Sequence, residues 1–102
     1  MKRSVVVRRA AEIEIAEAAT WYEERRPRLG RQFLESVEQG LAAIAERPGA
    51  WPLWQPKSGY RKYVIPRFPF VIFYKSEETG IIVVAVAHAK RRPGYWLHRE
   101  RR

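Results

Sequence analysis

The chain has 102 residues, with 20 Lys and Arg against 11 acidic residues, and a formal net charge of +9. It contains no cysteine, which excludes a disulfide scaffold, a thiolate nucleophile and a Cys-based zinc site. All 11 acidic residues are Glu, so Asp-dependent triads and EF-hand loops are excluded too.

In chain order, Ser4–Arg8 contains Val5-Val6-Val7, a β-branched run suited to a short opening strand. From Arg9 the period changes. Ala11, Ile15, Ala18, Ala19 and Tyr22 repeat at helical spacing, while Glu12, Glu14, Glu17, Glu23 and Glu24 lie mostly off that face. Pro27 interrupts the pattern, and a second apolar stripe follows at Phe33, Leu34, Val37, Leu41, Ile44 and Ala45. Gly40 weakens this second helix and Pro48-Gly49 ends it. About three residues join the helices, so they form an antiparallel αα-hairpin.

Pro48–Gly59 holds three Pro, two Gly and two Trp and reads as a loop. Strands are expected at Tyr60–Ile65, Phe70–Lys75 and Ile81–His88, with Ser76–Gly80 as the turn between the last two. Ile81–Ala87 is apolar on both faces, as a covered central strand requires, and is far shorter than the roughly 18 residues of a membrane span. The tail from Ala89 carries Pro93-Gly94, Tyr95-Trp96 and a run of basic residues. The prediction is one α+β domain over 1–102, ordered β-α-α-β-β-β, with a helical hairpin packed on a twisted, mainly antiparallel sheet. Met1-Lys2-Arg3-Ser4 lacks the apolar segment of a signal peptide, so a cytoplasmic domain is expected, with no membrane partner.

The charge is segregated. Residues 1–50 carry 9 basic and 8 acidic side chains, net +1, and residues 51–102 carry 11 and 3, net +8. The second half therefore generates a basic field that attracts nucleic acid or an acidic protein segment. Little else in the chain suggests chemistry. Ser4, Ser36, Ser58 and Ser76 lie outside any nucleophile elbow, and His88 and His98 are ten residues apart, which matches no local metal-ligand spacing. No metal or other cofactor is expected. The glutamates of the first helix read as a solvated face beside arginines, without burial to raise a pKa. What remains is a basic and aromatic set on the strands and tail: Arg61, Lys62, Arg67, His88, Lys90, Arg91, Arg92, Tyr95, Trp96 and Arg99. Such residues on one sheet face can bind phosphates and stack bases, or serve metal-free RNA cleavage; alternatively Tyr95 and Trp96 pack the tail onto the core.

Four stretches carry a resemblance across nearly the whole chain: Ala11–Tyr22 ending in Trp21-Tyr22, Leu29–Leu34, Arg67–Tyr74, and Val84–His88 continuing through Arg91–Trp96. Together they resemble the RelE/ParE superfamily, the toxins of bacterial type II toxin–antitoxin modules, whose β-α-α-β-β-β fold agrees with the order read above. In the RelE branch the resemblance implies a ribosome-dependent mRNA endoribonuclease, with Arg61, Arg67, Arg91 and Tyr95 as its catalytic set here. In the ParE branch it implies a growth inhibitor that binds DNA gyrase and blocks replication without chemistry of its own.

The departures favour ParE. Val71 stands where RelE-like toxins carry a catalytic Arg, and their second Arg falls near Ala89, two residues before Arg91. Tyr95 matches the C-terminal Tyr, but in the Pro-Gly-Tyr-Trp setting of the ParE branch. A nuclease without its phosphate-clamping Arg loses transition-state stabilisation. The resemblance thus implies a non-enzymatic toxin with target contacts at Arg61, Arg67, His88, Arg91, Arg92, Tyr95, Trp96 and Arg99. It also implies a cognate antitoxin whose C-terminal segment wraps the toxin into a hetero-oligomer, with Trp21, Tyr22, Phe33 and Leu34 as contacts.

Overall fold

A computed structural model of the chain describes residues 3–101. Its elements run β1 (Val5–Val7), α1 (Arg9–Arg25), α2 (Leu29–Glu46), β2 (Arg61–Val64), β3 (Phe70–Glu77), β4 (Gly80–His88) and α3 (Leu97–Glu100). The strands form one sheet in the order β1-β4-β3-β2, with β1 parallel to β4 and the other pairings antiparallel. The predicted α+β order therefore holds. Boundaries differ: β2 is shorter than the expected Tyr60–Ile65, while β3 runs on to Glu77 and β4 starts at Gly80. Glu77 pairs with Gly80, so the hairpin loop shrinks from the expected Ser76–Gly80 to Glu78-Thr79, and the tail adds the short helix α3.

The helical hairpin is tighter than its residue types suggest. Arg28 turns the connection in the left-handed region at φ 75°, and the Glu23 carboxylate accepts the free N–H groups of Arg28 and Gly30 at the start of α2 at 2.9 and 3.0 Å. A Cβ at Gly30 would lie 2.4 Å from the Ala19 carbonyl oxygen, so glycine sets how closely α2 approaches α1. Gly40 does the same against the sheet, where a Cβ would come within 2.8 Å of the Tyr63 ring. The helix propensity lost at Gly40 is thus exchanged for close packing.

Each face of the sheet is covered. Ala11 and Ala18 of α1 and Phe33, Val37 and Ile44 of α2 pack against Tyr63, Ile72, Tyr74, Ile81, Val83 and Val86. On the opposite face, Phe73, Val84, Ala85 and Ala87 pack against Trp96, with Trp54 and Tyr60 beside them. Burial on both sides explains the apolar texture of Ile81–Ala87. β4 carries an irregularity in register: Phe73 pairs with Ala85 but Tyr74 pairs with Val83. The extra residue, Val84, breaks the period-two alternation, which is why Val84 and Ala85 share a face.

Candidate functional site

β1 is three residues long and covers only Ile81–Val83 of β4. Past Val83 that edge of β4 has no strand beside it among the described residues, and side chains take the strand's place. Glu14, on α1, accepts the Val86 N–H at 3.0 Å, and Arg99, on α3, donates to the Val84 carbonyl at 2.8 Å. The two side chains also pair with each other at 3.2 Å, with 14% and 24% of their side-chain surfaces exposed. The Tyr95 hydroxyl donates to the same Glu14 carboxylate. Arg91 lies 3.8 Å over the Tyr95 ring and Arg99 lies 5.4 Å from it. Burial first, and then the Glu14 hydrogen bond and charge, hold the Tyr95 phenol well above the usual tyrosine range. Glu14 is therefore no solvated glutamate. It organises the arm formed by residues 89–101, and helical period alone placed it on the wrong side of that distinction.

Two grooves meet at the end of β4. The helix-side groove, about 590 Å³, runs between α1 and the sheet and is lined by Glu14, Glu17, Trp21, Tyr22, Phe70 and Arg91, among others. The arm-side groove, about 200 Å³, lies on the opposite sheet face between β2 and the arm, with Lys62, Val64, Arg92 and Trp96 in its lining. His88 and Arg91 line both. The His88 Nδ1 accepts the Lys90 N–H at 3.0 Å, which leaves Nε2 to carry the proton of the neutral ring.

The predicted target contacts divide accordingly. His88, Arg91, Arg92, Tyr95 and Arg99 are brought together at the end of β4 and in the arm. Arg61 is not with them. It follows the parity of Tyr63 toward the helical face, and its guanidinium donates to the Trp51 carbonyl at 2.6 Å. Lys62, one residue on, faces the arm instead. Arg67 is exposed on the β2–β3 turn at φ 74° and lines neither groove. The four-residue nuclease set Arg61, Arg67, Arg91 and Tyr95 is thus not assembled at one place.

Two expected contact residues are core residues. Trp96 has 0% of its surface exposed, stacked among Trp54, Tyr60 and Phe73 with ring centroids 5.2, 4.7 and 5.1 Å away. Phe33 also has 0% exposed and packs on Tyr22, Phe68 and Phe70. In the folded chain neither has surface to offer a partner. Trp21 does, at 51% exposed, with the Arg25 guanidinium 3.7 Å from its ring; Leu34 is exposed as well, and Tyr22 is half-buried at the groove wall. Among the described residues no cluster of His, Cys, Asp and Glu could hold a metal ion, and no helix is long and apolar enough to cross a membrane.

A solved structure of the chromosomal ParDE TA system from P. aeruginosa superposes with a TM-score of 0.76 at 12% identity, over 85% of this chain and 96% of that one. At that identity the likeness shows the fold. No curated protein matches the sequence. The family model described as the ParE toxin of the type II toxin–antitoxin system, parDE, matches residues 5–93, from β1 to the start of the arm. The chain belongs to the ParE toxin family of type II toxin–antitoxin systems.

Proposed function

We propose that this chain is the toxin of a type II toxin–antitoxin pair, a growth inhibitor that binds DNA gyrase in the cytoplasm, blocks replication, and is neutralised by a cognate antitoxin. The observation that carries this reading is the family match over residues 5–93. The basic end of β4 and the arm, with His88, Arg91, Arg92, Tyr95 and Arg99, is the candidate target surface, and exposed Arg67 on the β2–β3 turn is a separate candidate contact. Trp21, Tyr22 and Leu34 are the candidate antitoxin contacts, because they keep accessible apolar surface. A partner segment rich in acidic and apolar residues complements both features and can order on binding.

The absence of chemistry is part of the same reading. Val71 occupies the position of the phosphate-clamping Arg, and Arg61 is committed to the Trp51 carbonyl. The Tyr95 hydroxyl is engaged by the Glu14 carboxylate rather than presented to a substrate. One observation favours the second reading, a ribosome-dependent mRNA endonuclease: Lys62, His88, Arg91 and Arg92 line one groove with Trp54. Induced expression with separate readouts decides between them. The gyrase reading expects arrested replication, intact message, and restored growth when the neighbouring antitoxin frame is co-expressed. Cleaved message that becomes intact on Arg91→Ala would favour the nuclease instead.

A further inference from the structure

We propose that the helix-side groove seats one large apolar side chain of a partner polypeptide, carried beside a carboxylate that lands on His88 and Arg91. This rests on the reading of the chain as a toxin held by an antitoxin, and it specifies which chemistry the groove selects. The volume, about 590 Å³, falls among cavities that take ligands, roughly 300–1,000 Å³. Ala18, Trp21, Tyr22, Phe70 and Val86 give it apolar walls, and Trp21 is left half-exposed at its mouth. An exposed tryptophan over a concave apolar floor is the arrangement that a buried anchor residue completes.

Charge fixes the rest of the occupant. Of the two carboxylates in the lining, Glu14 is already satisfied by Val86, Tyr95 and Arg99. Glu17, exposed on the helix wall, repels an anion placed beside it. The anion's place is therefore the sheet wall. There His88 offers the Nε2 proton that its Lys90 contact dictates, and Arg91 is exposed, with Lys90 and Arg92 adding positive field on either side. A basic segment meets these cations unfavourably, and a purely apolar one leaves Arg91 unanswered. The occupant that answers both walls is an apolar anchor followed at once by acid.

The test uses the full chain and four blocked tetrapeptides: Ala-Phe-Glu-Glu, Ala-Phe-Gln-Gln, Ala-Phe-Lys-Lys and Ala-Ala-Glu-Glu. Binding is followed by the indole N–H of Trp21 and the backbone amides of His88 and Arg91 in ¹H–¹⁵N spectra. The acidic Phe peptide is expected to shift these signals while leaving the Trp96 indole in place. Each control peptide, and each of Arg91→Ala and Trp21→Ala, is expected to weaken binding at least about fivefold. Both substituted residues are exposed, and an unchanged Trp96 signal verifies the fold. Equal binding of the Lys peptide, or shifts confined to the arm-side groove, overturns the proposal. So do groove signals that move with protein concentration alone, which would mark a second copy as the occupant. If the antitoxin neutralises the chain yet binds Arg91→Ala and Trp21→Ala unchanged, the groove proposal fails and the toxin reading stands. If no neighbouring product binds or rescues growth, the toxin reading fails and takes the proposal with it.

Discussion

Glu14 and Arg99 lie 85 positions apart in sequence and 3.2 Å apart in space, and together they finish the edge of β4 where β1 stops. One carboxylate joins α1, the β4 backbone and the arm that carries Tyr95 and the basic cluster. Removing it leaves the Val86 N–H and the Tyr95 hydroxyl without their acceptor and the Arg99 guanidinium with the Val84 carbonyl but no counter-charge. Glu14→Ala is expected to lower the unfolding free energy by about 2 kcal/mol, discounted for the partial exposure of the pair. Glu14→Gln keeps one acceptor oxygen, for the Val86 N–H, and presents an NH2 donor to the Tyr95 phenol oxygen, so it should cost about half as much. The check is the urea midpoint of each variant, with limited trypsin cleavage after Lys90 and Arg91 reporting whether the arm has loosened.

Trp96 anchors the same arm from the other side. Its ring is fully buried against Trp54, Tyr60 and Phe73. Trp96→Ala should cost about 3–5 kcal/mol, a large share of the stability of a domain this size, and lower the melting temperature accordingly. A substitution at a solvent-facing contact residue would leave the melting temperature nearly unchanged, so calorimetry separates the core role from the docking role directly.

Arg67 sits at φ 74°, a conformation that costs a residue with a side chain and costs glycine little. Arg67→Gly should therefore gain about 0.5–1 kcal/mol in chemical denaturation. If Arg67 touches the target, the variant is at once more stable and less inhibitory, a combination that global destabilisation cannot produce.

The phenols of Tyr22, Tyr74 and Tyr95 are all held above the ordinary tyrosine value of 10.0, in each case chiefly by burial. Tyr74 is pushed up to about 12 although Arg61 nearby pulls it down. Because the folded chain keeps protons that the unfolded chain releases, this contribution is complete below pH 10 and is lost as pH rises toward the folded values. Urea midpoints should fall steadily above about pH 10, and absorbance near 295 nm should show these phenols ionising together with unfolding.

Much of the fold is legible in the residue pattern. Valine clustering, two apolar stripes at helical spacing and a strand apolar on both faces suffice for the element order and for a covered central strand. The site is less so, for physical reasons. Glu14 lies off the apolar stripe of its own helix, and what buries it comes from residues 95 and 99 at the far end of the chain, so no local pattern can reveal it. Arg61 and Lys62 are equally basic neighbours, and only strand register decides which one faces the arm. Trp96 reads from the sequence as either a contact residue or a core residue, and only the opposite sheet face, which it covers, decides for the core.

The most direct test of the central claim is the supercoiling of relaxed plasmid by purified DNA gyrase with and without the purified chain. Dose-dependent loss of supercoiling, or a trapped cleavage complex, is expected, with activity restored by prior addition of the antitoxin and weakened by Arg91→Ala. Undiminished supercoiling with no trapped complex, from chain shown to be folded and to arrest growth, would contradict gyrase as the target.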